Sequence, residues 1–249
     1  SAFAVEFFYM IFSNKDWAYY FLSQIFVVTA FYFVWKFSNE ILENKTYSFL
    51  SVLLLSGIYF YNFTTPEFNV NVCQLPFWSL VVFYSWKIYN DKKIKLLDCF
   101  LIGLYGAIGF LSKYLFIYLL ISIALLFIYL IYHKKTKKID FKYFIILEVF
   151  VVLLVPHIIW LFNNDFVTIT YGLNRAGLET TGIINHIKFP IIFLLKQIGL
   201  LIPFSILLWL LIKKLKFKVD LNDQKLIFLI FVNFVPIILI LLTSFMTGS

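Results

Sequence analysis

Thr64-Thr65-Pro66-Glu67-Phe68 separates two long apolar runs, Ser48–Phe63 and Asn69–Tyr89. A five-residue turn between runs of this length and hydrophobicity reads as a hairpin of two membrane-crossing helices. The turn carries one charge, the Glu67 carboxylate, and no lysine stands within fifteen residues on either side. The lysines lie at the far ends of the same two runs. If both runs cross a bilayer, Glu67 stands alone on the face opposite the positive charge.

The pattern repeats on both sides of the turn. Trp17–Trp35 is an earlier span with aromatic anchors at each end. Leu96–Leu111, Leu115–Tyr132, Phe141–Phe162, Ile187–Ile212 and Leu226–Leu242 complete a set of eight. Residues 1–12 are too short to span and contain Glu6, which suits an interfacial helix. Ser13-Asn14-Lys15-Asp16 is a polar turn in which Asn14 or Asp16 can cap the following helix. Hydrophobic residues make up 62% of the 249-residue chain, and its mean hydropathy is +0.91, beyond a soluble domain. The expectation is an all-α polytopic membrane protein of about eight transmembrane helices. They form a single transmembrane domain over residues 1–249 that is truncated at both ends.

Orientation follows from the lysines. The loops 36–47, 87–95, 133–142 and 213–225 hold sixteen of the 21 basic residues. That asymmetry assigns them to the cytoplasmic side and places Glu67, Lys113 and the polar segment 163–186 outside. The net charge of +8 therefore sets topology and does not indicate nucleic acid. Cys73 and Cys99 fall near opposite ends of consecutive helices, too far apart for a disulfide.

Few residues can carry chemistry. Glu67 is an outer carboxylate, or else the cap of the helix that follows Pro66. Lys113 has only Ser112 and Tyr114 for polar company between two spans. It either snorkels to the surface or balances a lipid-linked phosphate. Gly103, Gly106 and Gly109, spaced by three, follow no strand and read as close helix packing. Lys196 and Glu148 lie inside spans, where charge is costly and faces the bundle. Helix rise places them at different depths, so a direct pair is not expected. Lys196 is within reach of the outer face, as a second phosphate ligand. Asn163, Asn164, Asp165, Tyr171, Asn174 and Arg175 form a polar outer stretch in which Arg175 is the sole arginine. It is a solvated loop cation or a bidentate phosphate clamp. His133, His157 and His186 show no ligand spacing, and no metal or nucleotide motif is present.

Thr65-Pro66-Glu67, Gly103 through Ser112-Lys113-Tyr114, and Pro156-Trp160-Asn163 stand in an order that resembles the GT-C glycosyltransferases of family 39. That family includes protein O-mannosyltransferases and enzymes that move aminoarabinose onto lipid A. His186, Pro190 and Pro203 resemble its H-x-x-x-P region, and Thr243-Ser244 with Thr247-Gly248 a later outer segment. Glu67 replaces the family's Asp. The resemblance implies a bacterial, inner-membrane enzyme with its active face outside. Its donor is a polyprenyl-phosphate-linked sugar and its acceptor a lipid, glycan or protein. No cofactor is implied. Glu67 takes a catalytic carboxylate position. Lys113, Lys196, Arg175, Asn163 and His186 bind substrate or lipid phosphate. The principal catalytic Asp is expected in an outer loop upstream of Ser1, so the 249-residue chain alone is expected to be inactive. The alternatives are a secondary transporter or a lipid-linked sugar flippase, which predicts an internal repeat that the sequence lacks, and a non-catalytic scaffold.

Overall fold

The structure is a computed structural model that describes residues 2–91, 93–132, 140–175, 182–212, 220 and 222–248. The chain divides into two compact units, Ser1–Phe150 and Val151–Ser249. All regular structure among the described residues is helical, as expected of a polytopic all-α membrane protein.

The first unit opens with α1 (Ala2–Phe12) and α2 (Asp16–Leu42). Phe8 and Phe12 pack against Phe21 and Trp17, folding α1 back onto the start of α2. The expected cap at Asn14 or Asp16 is not used. Lys15 holds the cap position without a side-chain bond, and Asp16 sits in the first turn, where its charge favours the helix dipole. The helix also runs through Lys36, so the 36–47 loop shrinks to Glu43-Asn44. Glu43 closes α2 in the left-handed region at φ 53°, and Asn44 caps α3 (Lys45–Ser56) through the Thr46 and Tyr47 amides.

The run Ser48–Phe63, expected as one span, is broken. α3 ends at Ser56, and a four-residue α4 (Tyr59–Asn62) follows. Gly57 disfavours helix, and the Ser56 hydroxyl donates to the Leu53 carbonyl. Ile58 then turns extended at ψ 128°.

Next come α5 (Val70–Asn90), α6 (Leu96–Ser112), a 3-10 turn (Tyr114–Phe116), α7 (Ile117–Tyr132) and α8 (Lys142–Asn163), which continues into the second unit. Ring contacts set their directions. Phe26 meets Phe68 at 5.0 Å, Phe33 meets Phe83 at 5.7 Å and Phe37 meets Trp86 at 6.1 Å, so α2 and α5 run parallel. Cys73 touches Ser112, while Tyr84 stacks on Tyr105, so α6 runs back along α5. Trp78 against Phe116 starts α7 beside the third turn of α5. At the other end, Lys142 Nζ donates to the Ile94 carbonyl at 2.9 Å. The Glu67 turn and Lys113 therefore share one end of this unit, and residues 43–44, 91, 93–95 and the start of α8 share the other. Cys73 and Cys99, in the first turns of antiparallel helices, are both free and buried.

The second unit holds the rest of α8, then α9 (Val167–Arg175), α10 (Asn185–Ile212) and α11 (Gln224–Thr247). The segment 163–186, expected as a polar stretch, contains α9. It follows a tight turn in which Asp165 and Phe166 take φ 49° and 54°. Asp223 caps α11 by accepting the Lys225 amide. Five described helices, Asp16–Leu42, Tyr114–Tyr132, Lys142–Asn163, Asn185–Ile202 and Gln224–Thr247, are long and apolar enough to cross a membrane.

The alternating helices predict the outcome of single-cysteine labelling in a background lacking Cys73 and Cys99. An impermeant reagent applied from outside should label position 67 and leave position 93 unlabelled until the membrane is opened. Labelling at 93 with none at 67 inverts the topology.

Candidate active site

The Glu67 turn is pinned from below. Thr65 is 4% exposed, and its carbonyl accepts a hydrogen bond from Ser23 Oγ at 2.6 Å and from Gln24 Nε2 at 3.4 Å. Ser23 is wholly buried. The Thr65 hydroxyl donates to the Asn62 carbonyl, and the Phe68 ring lies edge-on to Phe26. Pro66 and Glu67 stay exposed above this anchor. No hydrogen bond or ion pair engages the Glu67 carboxylate among the described residues. The cap of α5 is Asn69, whose Oδ1 accepts from the Asn71 and Val72 amides. Glu67 is thus not the capping residue that Pro66 suggested, and its carboxylate is available.

Lys113 comes to the same place from α6. It ends that helix in extended conformation, its amide donating to the Gly109 carbonyl. Its ammonium donates to Asn71 Oδ1 at 2.6 Å, in the first turn of α5. A second contact close by reinforces the junction, with Cys73 Sγ, two residues after Asn71, 3.4 Å from Oγ of Ser112, the residue before Lys113. A cation and an available carboxylate therefore flank one helix N-terminus, whose partial positive charge favours anions.

The glycines of α6 face other neighbours, letting α8 and the Phe116 ring pack closely against it. A Cβ on Gly103 would stand 2.7 Å from the Ile146 carbonyl oxygen, and one on Gly109 would stand 2.5 Å from the Phe116 ring. They are packing glycines, as their spacing suggested.

In the second unit, His186 Nδ1 lies 2.7 Å from the Phe245 carbonyl oxygen, tying the start of α10 to the end of α11. A carbonyl only accepts, so Nδ1 carries a proton in this contact. Lys196 is exposed eleven residues into α10 and forms no ion pair among the described residues; neither does Glu148. Asn163 is the exposed last residue of α8. Arg175 ends α9, and its side chain lies outside the described residues, as does His133. His157 stacks on Trp160 one turn on. No group of three His, Cys, Asp or Glu side chains gathers among the described residues.

Ser23, Gln24, Asn69 and Asn71 were not singled out in the sequence. Asn69 carried a signal, an Asn immediately before an apolar run. Ser23 carried only a weak one, a polar residue inside a span. Ser23→Ala should remove the 2.6 Å bond and leave Thr65 to the longer Gln24 contact. The expected cost is about 1–3 kcal/mol, read as a lower melting temperature, and Ser23→Thr should restore it.

The chain matches a known family. The model described as dolichyl-phosphate-mannose-protein mannosyltransferase covers residues 1–160, more than half of the chain, and the chain belongs to that family of GT-C membrane glycosyltransferases. No curated protein and no solved structure gives a match.

Proposed function

We propose that the protein transfers a sugar from a polyprenyl-phosphate donor to an acceptor hydroxyl at the extracytoplasmic face of the inner membrane. The observation that carries this reading is the Lys113–Asn71 bond. It brings Lys113 to the helix that the Glu67 turn opens, at the end of the first unit away from the described basic loops.

In this reading the donor phosphate displaces the neutral Asn71 amide from Lys113, because an ammonium binds an anionic oxygen more strongly than a neutral one. The acceptor hydroxyl gives its proton to a carboxylate as its oxygen attacks the anomeric carbon. The bond from that carbon to the phosphate oxygen breaks with inversion. The electron pair leaves on the lipid phosphate, whose new charge Lys113 balances. Glu67 is the carboxylate of this chain at the site; an Asp from an outer loop upstream of Ser1 is proposed to share the work. The leaving group is already a lipid phosphate, so no nucleotide enters the scheme. Lys196, Arg175, Asn163 and His186 rest on the sequence resemblance, and the same assay tests them.

The test is sugar transfer from a synthetic polyprenyl-phosphate donor by the intact protein in proteoliposomes. Lys113→Ala should raise the donor KM by about 10- to 100-fold, the value of one charge-assisted bond, with the melting temperature little changed. Asn71→Asp should weaken the donor similarly by holding Lys113 in an ion pair. Unchanged donor use by both variants, with transfer abolished by Lys196→Ala, moves the phosphate site to α10.

A further inference from the structure

Gln24 is a carboxamide inside α2, seven residues beyond Trp17. By helix rise that is about 10 Å along the axis. A polar side chain at such a place in a span ordinarily faces the bundle or a polar cavity. Gln24 is instead exposed, in one stripe with Phe21, Ile25 and Val28, which are 50%, 39% and 63% exposed. α1 packs on Trp17 and Phe21, and Gln24 stays open beside it.

The one hydrogen bond of this side chain is long, from Nε2 to the Thr65 carbonyl at 3.4 Å. Ser23 already holds that carbonyl at 2.6 Å, so Gln24 adds little to the anchor. Its Oε1 and its second N–H have no partner among the described residues. An amide left so in an apolar layer is costly unless a polar ligand meets it. The adjoining turn limits what that ligand is. Thr65 precedes Glu67 by two residues, so their Cα atoms stand at most about 7 Å apart. The Glu67 carboxylate disfavours an anion on this side. A neutral hydroxyl fits, because a carboxamide can accept its proton and donate to its oxygen. The exposed stripe of Phe21, Ile25 and Val28 suits an alkyl chain. A hydroxylated head joined to an alkyl tail is a lipid-linked carbohydrate.

We propose that Gln24 binds a sugar hydroxyl of a lipid-linked carbohydrate whose chain lies along Phe21, Ile25 and Val28. The hydroxyl donates to Oε1 and accepts from the spare N–H. The proposal rests on the transfer reading of the Glu67 turn and adds to it a residue that orients a substrate ring. The ring belongs to the donor or to a glycolipid acceptor, since both present hydroxyls on a lipid.

Native mass spectrometry of the intact protein tests the binding without turnover. It compares retained dodecyl mannoside with retained dodecyl phosphocholine, which has the same chain and no sugar. The wild type should prefer the mannoside. Gln24→Leu should reduce that preference by about 3- to 10-fold, the worth of one neutral hydrogen bond, and Lys113→Ala should keep it. Gln24→Leu should melt like the wild type, because Ser23 keeps Thr65 in place. The transfer assay then separates the two sources. A donor KM raised by a similar factor assigns the hydroxyl to the transferred sugar, and an unchanged donor KM with the preference lost assigns it to the acceptor. A wild-type preference without any sugar transfer would reject the transfer reading and leave the hydroxyl site standing. Equal retention of the mannoside by wild type and Gln24→Leu overturns the proposal. So does early melting of Gln24→Leu, which would make Gln24 part of the anchor.

Discussion

Changing Glu67 to Gln in the intact protein is expected to lower kcat for sugar transfer by about 100-fold, the low end for removal of a proton acceptor. The donor KM should hardly move, because the donor phosphate is proposed to sit on Lys113. Stability should also hold, within about 0.5 kcal/mol, as for a surface position without partners. The structure explains why the three readouts separate. The turn is fixed through the Thr65 carbonyl and the Phe68 ring, and the helix beyond it is capped by Asn69. None of those contacts uses the Glu67 carboxylate. Glutamine keeps the side chain's shape and polarity and removes only its charge and basicity. A variant with full kcat would remove Glu67 from the reaction, and one that melted early would mean the carboxylate holds the turn together.

The largest effect on folding is expected at Gly103. Gly103→Leu should destabilise the protein by about 3 kcal/mol, at the upper end for overpacking, and the variant should be recovered largely as aggregate. The obstacle is backbone, since the first added carbon would stand 2.7 Å from the Ile146 carbonyl oxygen and 2.9 Å from Val149 Cβ. No rotamer relieves that contact; α8 itself must move. Gly106→Ala is the control, because its Cβ would meet the end of the Leu120 side chain at 3.3 Å. That neighbour can shift, and alanine favours helix by up to about 1 kcal/mol. Near-neutral melting at 106 and collapse at 103 is the pattern expected of a helix contact. Equal behaviour at the two positions would deny it.

Much of this is legible in the sequence. Runs of apolar residues and the placement of lysines gave the helical, multi-pass character and the grouping of Glu67 with Lys113, because both depend on burial and charge summed over many residues. Details resting on one local choice were less legible. Nothing in the hydropathy of Ser48–Phe63 distinguishes a continuous span from a break at Gly57. The cap of α5 passed to Asn69 because its short amide reaches the free amides from one residue outside the helix, whereas Glu67 lies three residues before the first turn. The bond from Ser23 to Thr65 joins residues 42 apart in the chain, and no local pattern encodes it. Lys36 was assigned to a loop because it begins a polar stretch, yet the helix continues past it to Leu42.

The break at Gly57 has a bearing on how the protein is made. A twelve-residue helix such as α3 is about 18 Å long, well short of the roughly 30 Å that a bilayer core requires. Alone in the lipid it would expose its end groups to hydrocarbon. It therefore has to enter the membrane as a hairpin with α2, across the two-residue connection Glu43-Asn44. The second helix of that hairpin stays provisional until Thr65 reaches the hydroxyl of Ser23. The Glu67 turn is therefore held in place only once α2, which precedes it in the chain, is there to receive Thr65.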